Sequence, residues 1–161
     1  MKNLSELFEH EIKDLYSAEK QLLDALPNMV KAASDKKLQE AFSHHLKETK
    51  TQFERIKEIC DSLGINPGNT KCDAMEGLIE ECDDMIKEDA PGDVKDAGLI
   101  ACAQRVEHYE ISGYGTAVRF AKELGHKDVA KKLQTTLDEE YDADNKLDKL
   151  AEGRLNKKAL A

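Results

Sequence analysis

Four glutamates stand at the centres of four predicted helices, on or beside the apolar face of each helix. They are Glu19, Glu48, Glu110 and Glu140, and the intervals within the two pairs are 29 and 30 residues. A carboxylate buried among apolar side chains is strongly destabilising unless something compensates its charge. The near-equal intervals therefore favour a helical bundle in which one carboxylate-bearing helix pair occurs twice around an internal metal site.

Apolar residues recur at the spacing of an α-helix along five segments of the chain. The predicted helices cover residues 4–33, 35–63, 74–88, 94–124 and 127–152. All are long except the third. The chain has 161 residues, the length of one domain with a hydrophobic core, so residues 1–161 are assigned to a single domain.

The residues that flank these segments are of types that begin or end helices. Ser34, Asp73 and Asp93 are predicted as the N-terminal caps of the second, third and fourth helices. Gly153 is predicted to end the last helix, since glycine adopts the left-handed conformation found there. The lysine-rich tail at residues 154–158 is then expected to fray.

The lengths of the connections predict the topology. The first two long helices are joined by a few residues, as are the last two, so each pair is antiparallel. The short helix between the second and third long helices covers about 22 Å at about 1.5 Å per residue, and its loops extend that reach. The predicted fold is all-α, a ferritin-like four-helix bundle with one long crossover that carries a short extra helix. Periodicity alone also allows other all-α packings.

The centres of antiparallel helices lie at the same height in a bundle, so the four central glutamates are expected to converge. Two divalent cations would neutralise their charge. Glu107 lies one turn before Glu110 and Asp144 one turn after Glu140, on the same helix faces. The predicted metal ligands are Glu19, Glu48, Glu107, Glu110, Glu140 and Asp144.

Two further residues near Glu48 leave alternatives open. Gln52 and His45 stand one turn from Glu48, and either is a candidate ligand, although His45 is interpreted mainly as a hydrogen-bonded core residue. Oxygen-rich coordination without a nearby thiolate suits iron or manganese better than zinc or copper. Because the second half of the chain holds more carboxylates, we expect the metal position nearer Glu110 to fill first.

Composition excludes several classes of protein. A net charge of −9 argues against a nucleic-acid binder or a protein of anionic membranes, since both need basic surface. No segment approaches the roughly 20 apolar residues of a membrane span, so a soluble, cytoplasmic protein is predicted. Four cysteines without a CxxC pair are interpreted as reduced, partly buried thiols.

Four strings of the sequence carry a family resemblance. They are YSAEKQL at residues 16–22, HLKET at 45–49, AMEGLIEE at 74–81 and VEHYEI at 106–111. In this order they resemble the YciE/YciF stress-protein family, and the likeness covers nearly the whole chain. The resemblance implies a ferritin-like, rubrerythrin-related bundle with a dinuclear metal site and a role in bacterial stress.

The chain departs from the broader rubrerythrin and ferritin pattern at two positions. That pattern has a histidine three residues after the glutamates of the second and fourth helices, where this chain has Thr51 and Ala143. The resulting site is richer in carboxylates, which changes how the protein tunes a bound metal. The paired CxxC motifs of a rubredoxin module are also missing, so a reductant would come from another molecule.

The leading hypothesis is a ferritin-like stress protein with two iron or manganese ions that reacts with peroxide or dioxygen, a reaction implied by the resemblance. In it, Glu48 and Glu140 bridge the ions, and Glu19 and Glu110 cap them. The alternatives are metal sequestration without turnover and a structural or interaction bundle. A homodimer is expected by analogy with other ferritin-like bundles.

Overall fold

Five helices and a short helical extension account for most of the molecule. The structure, a computed structural model, describes residues 1–160. The helices are α1 (Leu4–Ala32), α2 (Lys36–Leu63), α3 (Asp73–Lys87), α4 (Gly92–Glu123) and α5 (Lys127–Leu150), followed by a π-helical turn (Ala151–Leu155) and α6 (Asn156–Lys158). Within the described residues there is no β-strand, so the predicted all-α class is confirmed.

Two hydrophobic clusters lie at opposite ends of the four long helices. The upper cluster joins the C-terminal half of α1 to the start of α2 and α4 and the end of α5, and includes Leu26, Phe42, Leu99, Val106 and Leu147. The lower cluster joins the opposite halves and includes Ile12, Ile56, Ala117 and Leu133. Helices α1 and α5 therefore run in one direction and α2 and α4 in the other, which confirms the ferritin-like topology.

The crossover that carries α3 makes this topology possible. After α2 the chain turns at Gly64, whose φ of 66° is the left-handed conformation that glycine adopts easily. Helix α3 then packs on α1 and α4, and it buries Met75 and Cys82 in the upper cluster. Helix α4 therefore begins at the end of the bundle where α2 also begins.

The second helix is capped one residue later than the sequence predicted. Asp35, and not Ser34, accepts hydrogen bonds from the N–H groups of Lys37 and Leu38, at 2.9 and 3.4 Å. The N–H groups of Ser34 and Asp35 themselves donate to the buried carboxylate of Asp96 on α4, at 2.7 and 2.8 Å. Asp96 thus holds the α1–α2 turn against α4 and leaves the Asp35 side chain free to act as the cap.

The predicted caps of the next two helices are also wrong. Asp73 and Asp93 lie inside the first turns of α3 and α4, where their negative charge is favourable beside the exposed helix N–H groups. The position before α3 is taken by Cys72, which accepts the N–H of Met75 at 3.4 Å. Pro91 precedes α4, where a residue with fixed φ and no N–H fits without losing a hydrogen bond.

The last helix continues past its predicted end. Gly153 lies within the π-helical turn, and the chain remains helical through Lys158. Arg154 forms an ion pair with the Asp35 carboxylate, and Lys158 lies 3.5 Å from it, while Leu155 is fully buried. These contacts outweigh the helix-breaking tendency of the glycine, so the expectation of a frayed tail was wrong.

All four cysteines are buried free thiols, as predicted from their spacing. Residues 1–160 include no helix that is both long enough and apolar enough to cross a membrane.

Candidate metal centre

A layer of acidic and polar side chains lies between the upper and lower clusters, and we call it the acidic layer. All four long helices contribute to it. Its members are Glu19 from α1, His45, Glu48 and Gln52 from α2, Glu107 and Glu110 from α4, and Glu140 from α5. Four carboxyl groups in this layer are at most 2% exposed, which is rare for charged side chains without partners.

Four of these side chains converge on one point. His45, Glu107, Glu110 and Glu140 each offer a potential ligand atom, and these atoms all lie within 4.8 Å of one another. His45 Nε2 lies 3.2 Å from Glu107 Oε1, but the two are not aligned for a hydrogen bond. The four atoms are therefore close enough together for one cation to contact them all.

Neighbouring donors position two carboxyl groups of the layer, Glu19 and Glu140. The hydroxyl of Tyr114 donates a hydrogen bond to Glu19 Oε1, which leaves Oε2 of this carboxyl without a partner. Gln52 Nε2 donates to Glu140 Oε1 at 2.5 Å. Each bond orients one oxygen of a carboxyl group, and the other oxygen is buried without a hydrogen-bond partner.

The pattern of unsatisfied polar atoms separates this layer from the rest of the molecule. Nine buried side-chain oxygen or nitrogen atoms among residues 1–160 lack a hydrogen-bond partner, and every one of them belongs to the acidic layer. Glu110 contributes both carboxyl oxygens and His45 both ring nitrogens. Buried polar atoms are nearly always paired in folded proteins. Carboxylate oxygens and imidazole nitrogens are atom types that can bind a metal ion.

Burial and mutual repulsion shift the protonation of these groups. Burial first, and then the charge of Glu140, raises the pKa of Glu19, Glu107 and Glu110 well above the ordinary value. Burial also raises the pKa of Glu140, to about 7. For His45, burial lowers the pKa to about 4, so the imidazole is neutral near pH 7, as a metal ligand must be.

Three of the six predicted ligands, Glu19, Glu48 and Asp144, are not among these four convergent side chains. Glu48 is 23% exposed and faces the outer edge of the layer, where His44 Nδ1 lies 3.0 Å from its Oε2. Asp144 lies outside the layer: Gln104 donates to its Oδ1 at 3.1 Å, and His108 lies 3.3 Å from its Oδ2.

Glu19 lies in the same layer as the other three predicted residues, Glu107, Glu110 and Glu140, which are brought together. His45, which the sequence left outside the ligand set, joins them. Its signal in the sequence is its position one turn before Glu48 on the buried face of α2. Glu139, which directly precedes Glu140, lies outside the group, because Arg55 binds both of its carboxyl oxygens, at 2.9 and 3.1 Å.

Comparison with known proteins assigns the chain to a family. Residues 3–160 match the model of a domain of unknown function, DUF892. This chain belongs to the DUF892 family. It is 48% identical over 160 residues to Protein YciF of Escherichia coli K12, a match that covers 99% of this chain and 96% of that protein. The resemblance seen in the four sequence strings is thereby confirmed.

Two solved structures of relatives share the fold. The crystal structure of the E. coli stress protein YciF matches with a TM-score of 0.93 and 47% identity, over 98% of this chain and 99% of that one. YcfI from Rhodopseudomonas palustris matches with a TM-score of 0.88 and 41% identity, over 92% and 94% of the two chains. This protein is therefore a homologue of a bacterial stress protein, with a buried acidic and histidine cluster at its centre.

Proposed function

We propose that this protein binds two divalent metal ions, iron or manganese, in the acidic layer and uses them to react with dioxygen or peroxide during stress. One observation carries the proposal: all nine buried side-chain polar atoms that lack a partner in residues 1–160 lie in this layer. A structural bundle would be expected to fill such positions with apolar or mutually paired side chains.

The residues that would hold the metals follow from their placement. His45, Glu107, Glu110 and Glu140 supply the converging ligand atoms. Glu19, on α1, adds one further buried carboxyl oxygen that has no hydrogen-bond partner. Such a set, with one imidazole and several carboxylates, suits iron or manganese.

The remaining members of the layer extend this set. At the edge of the layer, Oε2 of Glu48 lies beside His44, and the side-chain oxygen of Gln52 has no hydrogen-bond partner. When bound, the metal pair would supply redox chemistry and Lewis acidity.

The surrounding residues hold the ligands in place. Tyr114 donates a hydrogen bond to one carboxyl oxygen of Glu19, and Gln52 donates one to a carboxyl oxygen of Glu140. Such supporting hydrogen bonds orient metal ligands and tune their basicity. In the metal-free protein, bound protons neutralise the buried carboxyl groups, because the pKa values of these groups are raised. Metal binding would therefore release protons and become stronger as pH rises.

Metal content tests the proposal directly. Protein purified without added metal is measured by plasma mass spectrometry, beside a double variant, Glu110→Gln and Glu140→Gln, and an exposed control, Glu54→Gln. The proposal predicts iron or manganese in the wild type and the control, and little in the double variant. Equal and negligible content in all three proteins would refute it.

Metal content and thermal unfolding together separate the two alternatives. Sequestration without turnover predicts loading far above two ions per chain. A structural bundle predicts a melting temperature that neither chelator nor added metal changes, since a ligand that binds only the folded state must stabilise it.

Compartment and assembly complete the proposal. Four buried free thiols fit a reducing compartment, so we place the protein in the cytoplasm. A homodimer remains a prediction that size-exclusion chromatography with light scattering will test.

A further inference from the structure

A small apolar cavity lies in the upper cluster, directly beside the acidic layer. Residues from α1, α2, α4 and α5 line it, and it leaves about 20 Å³ for the centre of a water-sized molecule. Leu26, Phe42, Val106 and Leu147 form much of its wall. A space of this size holds one very small molecule.

The cavity runs from the acidic layer towards the surface. His45 and Glu107 line its inner end. At its outer end are Lys146 and His44, whose side chains are 47% and 56% exposed. Glu48 lies between them, with Nζ of Lys146 3.9 Å from its Oε1. A small molecule that enters beside these charged residues would meet apolar walls and then the layer.

The apolar walls of the cavity distinguish between dioxygen and peroxide, the two oxidants named in the proposed function. Hydrogen peroxide carries donors and acceptors that find partners only at the two ends of the cavity, and burying such groups unpaired along the apolar walls between those ends is unfavourable. Dioxygen has no such requirement, and apolar cavities bind apolar gases such as xenon while excluding water. Most of the lining is aliphatic or aromatic, so the cavity favours dioxygen.

We propose that this cavity is a dioxygen-binding site that supplies the acidic layer. Binding of dioxygen there depends only on the cavity. Its consumption rests on the metal centre proposed above.

Methyl NMR under dioxygen pressure tests the binding step in metal-free protein, because dissolved dioxygen is paramagnetic. The methyl groups of Leu26, Val106 and Leu147 should relax several-fold faster under dioxygen than under nitrogen. The methyl groups of Ile56 and Leu133, equally buried in the lower cluster, serve as the internal control. Equal enhancement in both clusters would overturn the proposal.

A pair of variants tests the location. Ala103 lines the cavity and is 4% exposed, so Ala103→Val should fill part of the space and remove most of the enhancement at Val106. Ala117→Val adds the same group to the same helix in the lower cluster and should leave the enhancement intact. An enhancement that survives Ala103→Val unchanged would contradict the assignment.

Xenon-pressurised crystals of the wild-type protein keep the test decisive if either variant fails to fold. A xenon atom between Val106 and Leu147 supports the site, and its absence counts against it.

The outcome is separable from that of the metal proposal. Localised dioxygen in a protein that takes up no metal would leave this inference standing and refute the proposed function. Bound metal without localised dioxygen would refute this inference and leave the proposed metal site standing. If both hold, Ala103→Val should raise the KM for dioxygen of the metal-loaded protein while leaving the KM for peroxide unchanged, and equal changes in both would oppose dioxygen as the occupant.

Discussion

The hydroxyl of Tyr114 donates a hydrogen bond to Oε1 of Glu19, although both side chains are almost completely buried. This bond joins the lower cluster to the acidic layer, because the Tyr114 ring packs among the apolar residues below it. The tyrosine therefore supplies packing and a fixed donor to the same carboxyl group.

Replacing Tyr114 by phenylalanine should destabilise the metal-free protein by about 1–3 kcal/mol, since Glu19 loses its hydrogen-bond donor in a buried site. The loss should be smaller in the metal-loaded protein, where a bound cation would interact with this carboxyl group. Urea unfolding with and without metal measures both values. Tyr141→Phe, at a half-exposed position, is the matched control. An equal loss in the two states would mean that Glu19 does not bind metal.

Stability of the metal-free protein should fall as pH rises from about 6.5 to 8. Burial raises the folded-state pKa of Glu140 to about 7, and it raises the pKa values of Glu107 and Glu110 well above the ordinary value of 4.5. The folded state thus holds more protons than the unfolded chain, and the stability associated with these protons is lost as pH rises through the folded-state pKa.

Below about pH 6.5 the buried His45 makes stability increase with pH, because burial lowers its pKa to about 4 in the folded state. The window above pH 6.5 therefore reports mainly on the carboxyl groups. Urea titrations at several pH values give the slope. It should become shallower in Glu140→Gln, whose side chain does not titrate. A wild-type stability that increases across this window would contradict the assignment.

Asp96→Asn should cost about 1.5–3 kcal/mol, the range for hydrogen bonds to charged groups. The two carboxylate oxygens of Asp96 accept the N–H groups of Ser34 and Asp35, and an amide nitrogen in place of one oxygen cannot accept. Thermal or urea unfolding provides the measurement. Asp84→Asn, at a side chain that is 82% exposed, should change little. Equal small effects at both positions would show that the turn does not depend on this carboxylate.

Two glycine-to-alanine substitutions should have opposite effects. Gly77 is exposed within α3, and an added Cβ meets no atom within 4 Å, so Gly77→Ala should stabilise by about 1 kcal/mol. At Gly113 the Cβ would lie 2.9 Å from Cδ2 of the buried Leu15, so Gly113→Ala should destabilise by about 1 kcal/mol through overpacking. A gain in melting temperature at both positions would indicate that Leu15 moves aside freely.

Cys102 should be the most readily alkylated thiol. A hydrogen bond from Cys82 lowers the pKa of Cys102 to about 7, with a further contribution from Arg105, whereas burial raises that of Cys60 to about 11. Cys102 also lines a surface pocket. Peptide mapping after brief iodoacetamide treatment at pH 8 should find label on Cys102 before Cys60, and Cys82→Ala should slow it. Faster labelling of Cys60 would show that access overrides ionisation.

The fold was predictable because its signals are distributed over many residues. Helical periodicity and connection lengths involve whole segments, so a single misread position does not change the topology. The helix ends are different, since each depends on one local choice. Asp35 replaces Ser34 as a cap because Asp96, 61 residues away in sequence, binds the intervening backbone, and no local rule contains that contact.

The site was predictable to the level of the helix face but not of the individual side chain. Residues four apart on a helix differ by about 40° in direction, so Asp144 points further round α5 than Glu140 and meets Gln104 on α4. Residues three apart differ by about 60°. On α4 both Glu107 and Glu110 reach the convergence, whereas on α2 only His45 does and Glu48 lies at the edge of the layer. These small rotations decide which side chains converge, and they are set by helix packing.

Because the core is divided into two clusters, substitutions that change stability can lie at a distance from the acidic layer. The acidic layer and the cavity occupy the middle and one end of the bundle, while Ile12, Ile56 and Leu133 fill the other end. Exchanges that conserve volume are well tolerated in such cores. Apart from Tyr114, which binds Glu19, the lower end can therefore drift in evolution, or be redesigned for heat resistance, while the acidic layer above it stays unchanged.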